Sequence, residues 1–523
     1  MNHALEAEAL KRVREGLAAN PALPAELVDR LTEIAVESSD EWLAQQLADR
    51  ADLTRAQVLA LAAADELAAA GLAYRGLLVA ADVDPAARPQ AALALLGEGA
   101  AGEQGGEWAR LLVRDQDVLR RERLAACPDL PPDVVETLLA DSEIGVVEEV
   151  ALWTAWSAPA ERLARHPHAQ VRRAVAANEA TSPVVLAALL DGDALPAALH
   201  CLVCDQEETP FVHDAECPRT DCELPAGARC DGSHESTLHA IRMAALENPA
   251  TPAEAAVRFV DDPSSLIREA VAARADLPPD AGARLADDPI PGVRGDLAEN
   301  PAIDEVTMRR LADDRSDDVR RRLAHNPRIP LDLLIDVAGR TRIGSTLLPR
   351  IAAATPAEIE ELAESAQAAV RALLSERRDL PPDIRDGLAA DRDAKVVKSI
   401  APHPGLSEAR LRDMLARFGP QVAARAAANP DASPSLLHDI AHLAAPPRRA
   451  LRKIAAHPHA TPDSLLVCLE DPRSRPLAAA HPSLPTDVLV SLLGDEDAAV
   501  AESAAANPSL PPSVMAELVR RGA

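Results

Sequence analysis

The chain has 523 residues, a formal net charge of −29 and a pI of about 4.9. So large an excess of acid repels polyanions, which excludes nucleic acid and anionic membrane as expected partners. Residues 1–10 (MNHALEAEAL) carry neither the basic nor the apolar region of a secretory signal, and no stretch reaches the roughly 18 apolar residues that span a bilayer, so a cytoplasmic location is expected.

In chain order, residues 1–96 read as helical, acidic and only loosely periodic, an N-terminal helical cap or a set of diverged repeats. Residues 97–106 (GEGAAGEQGG) form a Gly-rich linker. Beyond it, residues 107–200 and 237–523 read as repeats, separated by a Cys-rich segment at 201–236.

The repeat is clearest where Phe259, Leu285 and Leu311, then Ile267, Val293 and Val319, then Arg268, Arg294 and Arg320 recur at an offset of 26 residues. A fixed period of this size implies a stacked array of small units rather than one globular core. The punctuation is a polar residue before Pro, as in Asn248-Pro249, Asn300-Pro301, His457-Pro458 and Asn507-Pro508. The residue before Pro is pushed out of the helical region, so each such pair closes a helix. A second Pro about three residues later falls in the first turn of the next helix, where its missing N–H has no partner to lose. Each repeat therefore reads as helix, tight turn, helix, and this arrangement accounts for most of the 44 prolines. Apolar residues at helical spacing follow the turns, as in Leu333, Leu334 and Val337. With only eight aromatic side chains, the composition suits many thin layers.

The pattern D-P-x-x-x-V-R…A-x-N-P-x-T-P-x-x-x-L, seen at Asp262–Pro278 and Asn248–Val257, resembles the variant leucine-rich repeat family. The resemblance runs from Trp108 to the C-terminus and is degenerate at 337–400. It implies an all-α fold, a right-handed α-solenoid of short helices, and a surface that holds a protein partner.

Five of the seven cysteines lie close together: Cys201-x2-Cys204-x12-Cys217-x4-Cys222-x7-Cys230, with His234 following. The turns at Glu179 and Pro249 are 70 residues apart, which reads as two repeats plus about 18 inserted residues, with Leu195–Val203 as a repeat helix. A polar insert without a core of its own needs a staple. Disulfides are disfavoured in a reducing compartment. Cysteine pairs around a loop are a usual layout for Zn2+, and an iron–sulfur cluster also takes thiolates. Some variant leucine-rich repeat proteins carry a 4Fe–4S cluster, and Cys230-Asp-Gly-Ser-His234 resembles the motif of the CDGSH 2Fe–2S family, although this chain has Cys217-x4-Cys222 where that family has C-x-C. The expected metal ligands are four from Cys201, Cys204, Cys217, Cys222, Cys230 and His234, holding either an iron–sulfur cluster or Zn2+.

The recurring Arg172, Arg268, Arg294 and Arg320, with neighbouring pairs such as Asp287-Asp288 and Asp313-Asp314, are expected to form ion pairs between repeats. The Asn or His before Pro is expected to hydrogen-bond exposed turn backbone rather than form a metal-binding ladder through His403, His457, His459 and His481. Cys127, Cys468, Trp153 and Trp156 read as packing residues. Between Asp336 and Glu358 there is no acid, so Arg340, Arg342 and Arg350 are the candidate contacts for an acidic partner. No phosphate loop, nucleophile elbow or H-E-x-x-H motif occurs. The functional expectation is a non-enzymatic protein-interaction scaffold with a stapled insert, or alternatively a redox or sensor protein carrying an iron–sulfur cluster on the same scaffold.

Overall fold

A computed structural model describes residues 2–192, 195–202 and 235–521. Among these residues every regular element is a helix, apart from one isolated parallel bridge between His168 and His200. No helix of the described residues is long and apolar enough to cross a membrane.

Most of the helices are short, and helices of this length are marginal alone, so neighbours must hold them. Pro132, Pro183, Pro279, Pro356, Pro434, Pro462 and Pro512 each occupy the first helical positions, as the turn chemistry requires. Side chains of Thr355, Ser433 and Thr461 cap the N-terminal N–H groups of their helices. The Gly-rich 97–106 stretch is itself ordered: Gly99 and Gly102 take positive φ, and a 3-10 turn at Gly102–Gln104 leads into helix Gly105–Leu112.

The chain divides into two compact units, one of Met1–Leu95, Ser345–Leu347 and Ile351–Ala523, the other of Leu96–Gly344 and Leu348–Arg350. In the second unit, helices Ile144–Trp153, Ala169–Ala177, Glu235–Glu247, Ser265–Ala272, Pro291–Glu299 and Asp317–Leu323 pack side by side in chain order. Val146, Val171, Val293 and Val319 are buried between them, with small Ala neighbours permitting close approach. In the first unit a similar row does not follow chain order. Helix Asn2–Ala19 packs on Ala498–Ala505, and Ala25–Ser38 packs on Pro512–Arg520, so the N-terminal helices continue the row beyond the C-terminal ones. Gly16 makes this possible, since a Cβ there would collide with the Glu502 carbonyl and lie 2.9 Å from the Ala505 Cβ.

A ladder of buried side chains ties successive helix pairs together. Asn300 Nδ2 donates to the carbonyls of Ala272 and Arg274, both at 2.7 Å, while its Oδ1 accepts from the Ala302 N–H. Asn326 repeats this on Ala298 and Asn300, and Asn429 on Ala401 and His403. Asn248 does the same on Ala176 (2.9 Å) and Asn178 (2.8 Å). Residues 178 and 248 are therefore successive rungs. A step of 70 residues stands where 26 suffice, so about 44 residues are extra, and the expected two repeats plus 18 do not fit. Nor does the expected helix over Leu195–Val203 form across its described part. Residues 195–201 are irregular because their backbone bonds go outward: Leu199 N–H donates to Pro167 O, and His200 O accepts from Ala169 N–H.

Candidate functional site

The arginine that recurs in step has a recurring carboxylate. Arg268 Nε donates to Asp288 at 2.6 Å, Arg294 to Asp314 at 2.6 Å, Arg371 to Asp391 at 2.6 Å and Arg121 to Asp141 at 2.7 Å, each 20 residues further on. Each guanidinium makes a bidentate pair and also donates to a main-chain carbonyl in its own turn, as Arg294 does to Asp288 O at 2.6 Å. Burial raises the Asp314 pKa most, but the Arg294 and Ser316 hydrogen bonds more than offset it, and the net shift is downward. In Asp287-Asp288 and Asp313-Asp314 the expected pairing between repeats is made by the second Asp. The first one sits at the surface, where Asp261 and Asp287 meet Arg284 and Arg310.

Two arginines depart from this pattern. Arg320 Nε donates to Thr341 Oγ1 at 2.8 Å where the others meet the Asp 20 residues on, and its guanidinium pairs with Asp317 of its own helix. Arg172 finds Gly192 at the equivalent position and donates to carbonyls of His166 (2.6 Å), Pro196 (2.7 Å) and Ala197 (3.5 Å), while its burial lowers its pKa. Arg172 therefore anchors the chain as it leaves the ladder.

The pre-Pro histidines are buried and, as expected, bond turn backbone. His457 Nε2 bonds Asn429 O and His481 Nε2 bonds His457 O, both at 2.9 Å, and His459 Nδ1 bonds Ala432 O at 3.0 Å. His403 Nδ1 bonds Pro404 O at 2.6 Å. Burial lowers the pKa of His403, His457 and His481, so these rings are neutral hydrogen-bonding elements at physiological pH. Among the described residues no three His, Cys, Asp or Glu side chains converge as a metal group.

Of the six expected metal ligands, Cys201 lies in the described residues, fully buried beside the His168–His200 bridge. Cys204, Cys217, Cys222, Cys230 and His234 lie outside them. Cys127 and Cys468 are buried thiols whose pKa is pushed up to about 12 by desolvation, which suits packing and not nucleophilic chemistry. Of the three arginines suggested for an acidic partner, Arg340 is held by Asp313 (3.1 Å) and Asp336. The Arg342 side chain is exposed while its carbonyl accepts from Arg321, and Arg350 is half-buried.

Sequence reading missed two features of the ladder. First, Arg replaces Asn at some rungs. Arg274 donates to Leu246 O (2.6 Å), Asn248 O (3.4 Å) and Thr251 O (2.7 Å), and Asp276 pairs with its other edge at 2.8 Å. Arg377 with Asp379, and Arg50 with Asp52, repeat the device, so Arg-x-Asp is the local signal for it. Second, a rung can be short. Asn178 donates to Thr154 O at 2.8 Å, which identifies Thr154 as a rung residue. Its Oγ1 accepts from the Trp156 N–H at 3.3 Å. A recess of about 360 Å3 opens at this place, lined by Ala125, Cys127, Asp129, Leu130, Trp153 and Trp156 among others. Trp153 is 59% exposed and Trp156 42%, so neither fills the core as expected. Compared with known proteins, the chain matches no family model and no curated sequence.

Proposed function

We propose that this chain is a non-enzymatic protein-interaction scaffold, a right-handed α-solenoid of the variant leucine-rich repeat kind with a Cys-ligated metal site in its insert. The observation that carries this reading is where the recurring polar chemistry goes. The in-step Arg, Asp, Asn and His side chains are spent on bonds between neighbouring helix pairs, as in Arg294 with Asp314 and Asn326 with Asn300. Residues used in this way build a stacked surface of the kind that holds a partner.

The proposed staple takes four ligands from Cys201, Cys204, Cys217, Cys222, Cys230 and His234. A second reading, a redox or sensor protein carrying an iron–sulfur cluster, is favoured by Cys230-Asp231-Gly232-Ser233-His234. An acidic partner segment would meet Arg340, Arg342 and Arg350.

The deciding experiment is visible absorption with metal and sulfide analysis on anaerobically purified protein. Colourless protein with one zinc supports the scaffold reading. Brown protein containing iron and sulfide in equal amounts supports the redox reading. Protein with neither removes the metal from both. Capture of a partner by the intact chain, and its loss when Arg340, Arg342 and Arg350 are together replaced by Glu, tests the proposed acidic-partner contact.

A further inference from the structure

We propose that the recess at Thr154 is a docking site for an arginine side chain of a partner polypeptide, whose guanidinium completes the short rung. The inference rests on the scaffold reading and names the chemistry of the partner.

The protein itself supplies the template. Where Arg274 is the rung, its guanidinium reaches three carbonyls of the preceding turn, those of Leu246, Asn248 and Thr251. One helix pair from Thr154, the matching carbonyls belong to Ala125, Cys127 and Leu130, and all three residues line the recess. Threonine carries its hydroxyl directly on Cβ, too short to span this distance, and here that oxygen receives the Trp156 N–H. The comparison with Arg274 locates the space. The recess beside Arg274 is lined by Leu246, Pro249 and Ala270, but not by Asn248 or Thr251, because the guanidinium stands there. At Thr154 the equivalent residues, Cys127 and Leu130, form the wall.

The rim selects for cation and plane. Trp153 and Trp156 both line the recess, and exposed indole faces attract a guanidinium by cation–π contact. Trp153 Nε1 donates to Glu149 at 2.9 Å, which keeps a carboxylate beside the indole. Asp129 lines the same recess from a left-handed turn, φ +53°. Arginine, with five donors in a planar fork, matches several carbonyls at once, whereas lysine presents a point charge.

The test uses the full chain and tryptophan fluorescence, titrated with N-acetyl-arginine methylamide and with the lysine and glutamine counterparts. The expected result is a saturable change with the arginine probe at a Kd of roughly 1 mM, at least fivefold weaker with lysine. Thr154→Arg, which fills the rung from within, is expected to abolish the change while leaving the helical circular dichroism intact. Trp156→Ala, a surface substitution, is expected to weaken binding about threefold and guards against a misfolded Thr154→Arg protein. An equal response to lysine, or an unaltered response in a folded Thr154→Arg protein, overturns the proposal. No response to any probe also overturns it. Capture of a partner that competes with none of the probes leaves the scaffold reading standing and places its contact elsewhere.

Discussion

Asn20 donates its Nδ2 hydrogens to the carbonyls of Asn507 at 2.7 Å and Ala505 at 2.9 Å, across 487 and 485 positions of sequence. The geometry is the one Asn507 makes with His481 and Ala479, both at 2.8 Å. The ladder therefore continues from the last helix pair into the first, and Arg50 takes the next rung by donating to Ala18 O and Asn20 O at 2.8 Å.

Opening the seam should destabilise the first unit selectively. Asn20→Ala removes a donor from the Ala505 and Asn507 carbonyls, and since Asn507 O keeps the Leu510 N–H the expected cost is about 1–3 kcal/mol. Gly16→Val is expected to be worse, because its side chain meets the Glu502 carbonyl. Hydrogen exchange should show lost protection at Asn2–Ala19 and Ala498–Ala505, with Ser265–Leu323 unchanged. Uniform loss along the chain would contradict a local seam.

The seam should also depend on pH through Glu15. Burial raises its pKa most, the Arg12 ion pair pulls it down, and Glu502 adds to the rise. The folded pKa thus lies above the unfolded value. Below the unfolded pKa both states are protonated and no penalty exists. As pH rises towards the folded pKa the unfolded state ionises first, so stability falls and then levels off. Glu15→Gln is expected to leave the Tm unchanged near pH 4 and raise it near pH 8. A Tm gain confined to acid pH would refute this sign.

The Arg294–Asp314 pair is buried on both sides, at 10% and 9% side-chain exposure. Arg294→Ala strands a buried carboxylate and is expected to cost about 3–5 kcal/mol, while Arg294→Met with Asp314→Leu should be close to neutral. Urea denaturation of the two singles and the double gives the coupling. Because the Asp314 pKa is depressed in the fold, its contribution is present above the unfolded pKa and disappears as pH falls through the folded one.

Chelation should act locally. If the insert is stapled by metal, removing it is expected to release Pro167–Cys201 and the start of helix Glu235–Glu247, where the chain leaves and rejoins the ladder. Exchange at Pro291–Leu323 should not move. Protection lost everywhere, or nowhere, would show that no local staple exists.

The residue sequence by itself determined the helical punctuation. Asn300-Pro301 and Pro512 act through local sterics, which depend only on the residues present, and their helices end and begin where those rules place them. It also determined that Arg268 and Arg294 would seek carboxylates, because both partners are side chains with opposite charge. Only the tertiary structure decided which rungs are neighbours. The ladder's acceptors are backbone carbonyls, which are the same chemical group whatever the residue, so nothing in the identity of Ala505 or Ala176 announces Asn20 or Asn248 as its donor. For the same reason Arg274 can replace Asn, the step from 178 to 248 can skip an insert, and the shortfall at Thr154 appears only when the preceding turn lies against it.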